Sequence, residues 1–562
     1  MKTNNSSDDI TSKKLDETSI SEEVKGLRDK SKRAKKEVRN KQKAESKKWE
    51  KEMTFFTKIK KMMPFSKVIG KIIFIYLVAV LIAGFLLMIP GIVSKKGSDY
   101  NWDFISGIFQ ASSALSDTGI VTAPVWSTYT FWGQLILAML AQLGGIGVLT
   151  IKITLLIMLN RKISVNDQIT AQTERGGIAL ANTTEMIKDA FVFLIIVEII
   201  GSFMLFFGFY FIEVPPEALY QLDDAGNIIP NTAMGSSPYR NFEQSLWFSI
   251  FHSVSAVNNA GIDIFSDNSL QGYNTPYGYS IQTVFLMQWV IGGLGYPTYH
   301  DIKKKIRAMK TGEHVQFSLF TKLNFTVYTT LFFVGPMFVY FSELAAGSSS
   351  EILYSSIGGK REGVIWHKAF FDIFFNVSAS RNAGFTTVDI GNMNDGSRMI
   401  ISALMFIGSA PSSTAGGIRT TTFGILLILC WSVIRNNKSV SAFSKTIPQD
   451  TVIKSVAVFV VSIIMSLSVV MVVYGDSYSQ LSINGEPPEL TNVFVLVFSA
   501  FGTVGFSPYN TGIITSFGVL SKLALITTMF IGQLGVSNTL LAFVKSGTKE
   551  RYKYLEQDIM IG

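Results

Sequence analysis

The chain has 562 residues, 48% of them hydrophobic and 16% charged, with a mean hydropathy of +0.32 and a net charge of +9. A soluble domain carries about 25% charged residues, so this balance excludes an ordinary water-soluble fold, and a single cysteine, Cys430, excludes an intramolecular disulfide framework. What remains is a polytopic helical membrane protein.

Residues 1–61 hold 19 Lys and Arg against 11 Asp and Glu, nearly the whole net charge of the chain. Because an apolar segment follows, this tail reads as a cytoplasmic topology signal or a polybasic contact with anionic lipid, rather than as a nucleic-acid-binding segment. The first apolar run begins near Val68 and is long enough to span, so no cleavable signal peptide is expected. Charge-free runs at 72–93, 131–151, 280–300, 323–342, 455–475 and 523–544 each predict a spanning helix of about 20 residues. Residues 190–212 read the same way with one acid, Glu198, and 399–434 form a longer run interrupted by polar residues around Pro411 and Arg419. These make eight predicted spans. Between the first and second span of each pair lies a shorter apolar segment, at 104–116, 244–258, 369–380 and 492–503. Such segments are too short to cross and predict re-entrant half-helices. Loops 160–190, 301–312, 435–454 and 545–553 carry 17 Lys and Arg, against 5 in 95–100, 213–241, 343–366 and 475–490. The asymmetry predicts both termini on the cytoplasmic side.

The four short segments end alike: Ser113-Ala114…Gly119, Ser255-Ala256…Gly261, Ser378-Ala379…Gly384 and Ser499-Ala500…Gly505, each S-A-x4-G followed by Ile or Phe. One such match means little, but four at the same point of a repeating hydropathy unit form an internal repeat. The expected fold class is therefore an all-α polytopic membrane protein of four consecutive span, half-helix, span units around one pseudo-fourfold pore. The predicted divisions are a basic tail at 1–64, units at 65–160, 161–310, 311–440 and 441–545, and a tail at 546–562. A half-helix entering from outside points its partially negative end at the membrane centre, which favours a cation there. Glycine permits the φ > 0 backbone that turns carbonyls toward an axis, and four sets of carbonyls can replace the hydration shell of a potassium-sized ion. The predicted ion-binding residues are Thr118 and Gly119, Ala260 and Gly261, Ala383 and Gly384, and Val504 and Gly505.

A second motif follows each half-helix: Gly144-Gly145-Ile146-Gly147, Gly292-Gly293-Leu294-Gly295, Gly416-Gly417-Ile418-Arg419 and Gly532-Gln533-Leu534-Gly535. Small residues here allow close helix packing. In the third repeat the motif is preceded by Gly408, Ser409, Pro411, Ser412, Ser413 and Thr414, a polar and helix-breaking stretch inside a span. With Gly416 and Gly417 it makes an intramembrane loop, about 408–418, that could obstruct or release an ion path.

These glycines and the stretches Arg381-Asn382-Ala383-Gly384-Phe385 and Pro411–Arg419 resemble the Trk/Ktr/HKT superfamily of cation transporters, and most closely its Ktr-type potassium-uptake membrane subunits. The likeness runs from about Val68 to Lys545. It implies K+ uptake across the cell membrane, a filter at the four glycines, a gating loop at 409–417, a homodimer, and a separate cytosolic ring of nucleotide-binding RCK subunits. It also implies possible stimulation by Na+, no organic cofactor in this chain, and no enzymatic activity. The family's last helix usually carries an arginine facing the gating loop. Gln533 stands at that place here and is the expected gate partner.

Other residues have two readings each. Asp117 and Asp263 either attract cations at the outer mouth or are hydrogen-bonded within their loops. Asn258, Asn259 and Asn382 either brace the filter backbones or line the pore. Glu198 is either an ion site or a partner of another helix. Four His and one Cys offer no metal-ligand constellation. The alternative function is a Na+- or H+-coupled cation symporter, whose folds show inverted repeats and broken helices. A serine hydrolase at Ser412 or Ser413 is disfavoured, because no His lies in a neighbouring motif.

Overall fold

The computed structural model describes residues 68–91, 104–147, 150, 183–214, 220–222, 228–230, 237–265, 269–350, 352–353, 356–357, 360–361, 366–437, 439–482, 488–536 and 539. The basic tail at 1–64 and the segment at 546–562 lie outside the described residues.

The described chain is a helical assembly with three two-stranded hairpins. In the first repeat α1 (Val68–Leu86) leads to the half-helix α2 (Phe104–Leu115) and then to α3 (Phe131–Ile146). The second repeat supplies α4 (Thr183–Phe211), α5 (Phe242–Val257), α6 (Tyr279–Gly293) and α7 (Tyr296–Thr311). The third supplies α8 (Leu319–Ala346), α9 (Trp366–Ala379), α10 (Asp395–Phe406) and α11 (Thr420–Ile434), and the fourth α12 (Gln449–Asp476), α13 (Leu490–Gly502) and α14 (Val519–Leu534). Of these, α4, α8 and α12 contain stretches long and apolar enough to cross a membrane on their own. The half-helix α5 and the helix α10 start on side-chain caps. Asn241 accepts from the Gln244 amide at 3.2 Å and Asn394 from the Ser397 amide at 2.9 Å.

The long helices are apolar on all sides, and the packing explains why. Each half-helix is wrapped by its neighbours: α5 lies on α4, α2 on α1 and α3, α9 on α8, and α13 on α10 and α14. The inner faces meet in an aromatic core where Trp289 stacks on Phe385 at 6.3 Å and Phe285 meets Phe385 edge-on at 4.8 Å. The outer faces expose Ile199, Phe203, Phe338, Phe341, Ile464 and Met471. A surface of this kind is unstable in water and is at home in hydrocarbon.

The second spans depart from the continuous helices expected at 131–151, 280–300 and 523–544. Each is interrupted at the last glycine of its glycine motif: Gly147 (φ 91°), Gly295 (φ 81°) and Gly535 (φ 86°). An L-residue enters this region at a steric cost, whereas glycine enters it freely. The run at 399–434 is broken too, into α10 and α11, and residues 407–419 between them are an irregular loop.

Candidate functional site

The ends of the half-helices set the geometry of the site. In the first, second and fourth repeats the amide of the residue before the repeated glycine bonds back to the carbonyl of the motif serine: Thr118 to Ser113 at 2.9 Å, Ala260 to Ser255 at 2.8 Å, and Val504 to Ser499 at 2.9 Å. The residue before that is left-handed, with φ 50° at Asp117, 58° at Asn259 and 51° at Thr503, and its amide reaches the motif alanine. This is a Schellman end. The residue that ends each helix therefore lies two places before the glycine. The glycine is a second, separate left-handed turn, with φ 82° at Gly119, 62° at Gly261 and 106° at Gly505. The third repeat ends differently. Gly384 keeps φ 77°, but Asn382 is not left-handed, and the Ala383 amide bonds to Ala379 at 2.8 Å.

The four glycines come together. A Cβ added at Gly119 would lie 2.5 Å from the Ala260 carbonyl oxygen, one at Gly505 would lie 2.6 Å from that of Thr118, and one at Gly261 would lie 2.9 Å from that of Ala383. At Gly384 it would strike the Val504 carbonyl. The glycines thus close a ring in the order 119, 261, 384, 505, backbone against backbone. Ala260, Ala383, Val504 and Thr118 each bring a carbonyl to a neighbouring strand. The ring borders a cavity of about 300 Å³ that is also lined by Asp263 and Asp389. Asp389 was not singled out in the sequence, where it looks like any loop acid.

On the other side of the ring lies the irregular loop. Ser409, Ser412, Ser413 and Thr414 are buried, and Ala410 and Ala415 with them. Its backbone is held by its surroundings, as polar backbone away from water must be. The Ala410 amide donates to the Gly293 carbonyl at 3.2 Å, and the Ser412 carbonyl accepts from the Tyr296 amide at 3.0 Å. The Arg381 guanidinium donates to the Gly408 carbonyl at 2.7 Å and lies 5.1 Å from the Tyr328 ring centre. Pro411 and Gly417 line a second cavity of about 600 Å³, between this loop, α8, α11 and α12. The loop also touches the segments that end in the repeated glycines. Asn259 Nδ2 donates to Thr414 Oγ1, and the Gly416 amide donates to Thr503 Oγ1 at 2.7 Å.

Gln533 sits between the loop and the first repeat. Its Nε2 donates to Asp117 Oδ2 at 3.1 Å and faces the carbonyls of Gly144 at 3.4 Å and Thr414 at 3.5 Å. Asp117 is therefore not at the outer mouth. It is buried and hydrogen-bonded to Gln533 of another helix, a partner that neither of its two readings included. Glu198 pairs with other segments: its Oε1 accepts from Gln142 at 2.9 Å and from Asn258 at 3.1 Å. The first glycine of each remaining motif packs on a half-helix end. A Cβ at Gly144, Gly292 or Gly532 would strike the carbonyl of Leu115, Val257 or Phe501. These contacts account for the glycine pairs as packing residues. Gln533→Leu removes a donor from a buried carboxylate and is expected to destabilise the protein by about 2 kcal/mol. Thermal midpoints of Gln533→Leu, Asp117→Asn and the double variant check this, and the two losses should be non-additive.

The family model described as "TrkH: Cation transport protein" matches residues 80–553. An uncharacterized cation transporter, MG322, of Mycoplasma genitalium is 33% identical over 83% of this chain and 89% of its own length. The Ktr system potassium uptake protein D of Bacillus subtilis is 26% identical over 87% of this chain and 95% of its own. The crystal structure of the potassium transporter TrkH from Vibrio parahaemolyticus has a similar fold, with a TM-score of 0.55, 15% identity, and coverage of 84% of this chain and 83% of that one. The match at residues 80–553 spans most of the sequence and includes the site residues described above, and on it the chain belongs to the TrkH family of cation transport proteins, as a multi-pass protein of the cell membrane.

Proposed function

We propose that the protein carries K+ into the cell through a pore formed by one chain. The observation that carries this reading is the ring of Gly119, Gly261, Gly384 and Gly505, where four left-handed turns meet on one cavity and leave no room for side chains. In this reading the carbonyls of Thr118, Ala260, Ala383 and Val504, with those of the four glycines, replace the water shell of the ion. The partially negative ends of α2, α5, α9 and α13 favour a cation at the same place. The four repeats are span, half-helix, span units about this pore, with eight spans and cytoplasmic termini. Asp263 and Asp389 raise the local cation concentration at the outer cavity.

The loop of Gly408, Ser409, Pro411, Ser412, Ser413, Thr414, Gly416 and Gly417 gates the path, with Gln533 as its partner on α14. The gate answers to a separate cytosolic RCK ring, and the membrane subunit works as a homodimer in contact with lipid. The relative from Bacillus subtilis, named a potassium uptake protein of a Ktr system, supports this assignment. Na+ stimulates transport in this reading and is not coupled to it. Transport is driven by the membrane potential, about 2.3 kcal/mol per charge per 100 mV.

The test is K+ uptake into proteoliposomes under an imposed potential, with Na+ absent from both sides. Uptake without Na+ at constant pH is the expected result. An absolute requirement for Na+ or for a proton gradient would replace the channel-like reading with a symporter.

A further inference from the structure

Thr503 is the least comfortable residue at the filter ends. It lies two places before Gly505 with φ 51°, a region that β-branched residues rarely enter. The matching positions in the first two repeats hold Asp117 and Asn259, residue types that tolerate it. Thr503 is fully buried, so water does not relieve it. Its side chain is held by the loop: the Gly416 amide donates to its Oγ1 at 2.7 Å, while its own amide turns back to the Ala500 and Ser499 carbonyls of its helix. Its side chain fills the place a Cβ on Gly416 would take, 2.5 Å from Oγ1. The next residue, Val504, carries the carbonyl that lies against both Gly384 and Gly261. The dihedrals of Thr503 therefore aim an oxygen that faces two other strands of the ring. A strained residue of this kind persists only while its surroundings over-determine it.

We propose that Thr503 is a positioning residue for ion discrimination, whose left-handed backbone is fixed by the Gly416 amide, so that the loop and the Val504 carbonyl are set together. The proposal rests on the pore reading above. Without that bond Thr503 loses the partner that offsets its strain, its backbone relaxes, and the Val504 carbonyl turns away from the ring. Asn259 makes the parallel contact with Thr414 from the second repeat, but its side chain suits the left-handed region and its backbone does not depend on that bond. The coupling is therefore uneven, and the fourth strand is the one that answers to the loop.

The experiment measures K+ and Na+ uptake separately in proteoliposomes for the wild type, Thr503→Ser, Thr503→Val and Thr503→Ala. Thr503→Ser keeps the acceptor and should keep the wild-type K+ over Na+ ratio. Thr503→Val keeps the shape but not the acceptor, and its ratio should fall about tenfold, the scale of one strained residue set free. Thr503→Ala carries the same expectation should the valine variant not assemble. A wild-type ratio in either acceptor-free variant, at normal thermal midpoint, overturns the proposal. So does an equal fall in Thr503→Ser. Failure of the wild type itself to take up K+ overturns the pore reading instead.

Discussion

Replacing Gly384 by alanine is expected to lower K+ uptake in proteoliposomes by about a hundredfold, the equivalent of ~3 kcal/mol, while the protein still assembles. Two effects add. The backbone at φ 77° is closed to L-residues without a penalty of about 1–2 kcal/mol. The new methyl also strikes the Val504 carbonyl, which belongs to the backbone and is not the far end of a flexible side chain. The same geometry ranks the four positions. Gly119 and Gly505 would place a Cβ 2.5 and 2.6 Å from a backbone oxygen, and Gly261 would place one at 2.9 Å. The expected order of damage by alanine is Gly384, then Gly119 and Gly505, then Gly261. Gly119→Ser should additionally lower K+ over Na+ discrimination, because its side chain must displace the Ala260 oxygen from the ring. Uptake and ion ratio for the four alanine variants and the serine variant check both statements. Equal losses at all four sites would mean that the glycines serve the helix ends and not the ring.

The ring positions were readable because the S-A-x4-G spacing repeats four times, and each of its residues has a local task. In three of the four repeats serine and alanine supply the carbonyls that close the Schellman end, and in all four the glycine turns the strand. The breaks at Gly147, Gly295 and Gly535 were not readable. The runs at 131–151, 280–300 and 523–544 stay free of charged residues across them, and the absence of charge does not report a change in the sign of φ. The contacts between repeats were equally hidden. Gln533 and Asp117 are 416 residues apart, and Thr414 and Asn259 are 155 apart. The resemblance to the family pointed to Gln533 as a partner of the loop. The second acceptor, Asp117, came only from the fold, and it moves that acid from a candidate outer-mouth charge to a buried hydrogen-bonded one. Asp389 lacked any motif at all and became a candidate only because it lines the same cavity as Asp263.

Arg381→Met is expected to raise K+ uptake about fivefold, or ~1 kcal/mol. The reason lies in how the third half-helix ends. Lacking the left-handed turn of the other three, it carries instead a buried guanidinium that reaches across to the Gly408 carbonyl, the first hinge of the loop. Two of its nitrogens, Nε and Nη1, are buried without a hydrogen-bond partner among the described residues. A cation held with so few partners is costly to bury, so its removal in favour of an apolar chain of similar length need not weaken the fold. Two consequences of the substitution act in the same direction. The Gly408 carbonyl loses its anchor, which frees the loop to leave the path. A fixed positive charge three residues from the Gly384 turn is also lost, and that charge opposes a cation on the same route. Arg381→Lys is the control for both: it keeps the charge and can reach Gly408, but loses the planar face set against Tyr328. Its uptake should stay near the wild-type rate. Measured at matched protein amounts, a methionine variant no faster than the wild type, with an unchanged thermal midpoint, would show that Gly408 is held well enough by its other neighbours. The loop would then be released from elsewhere, with the contacts of Thr414 and Gly416 to the filter ends as the remaining restraints.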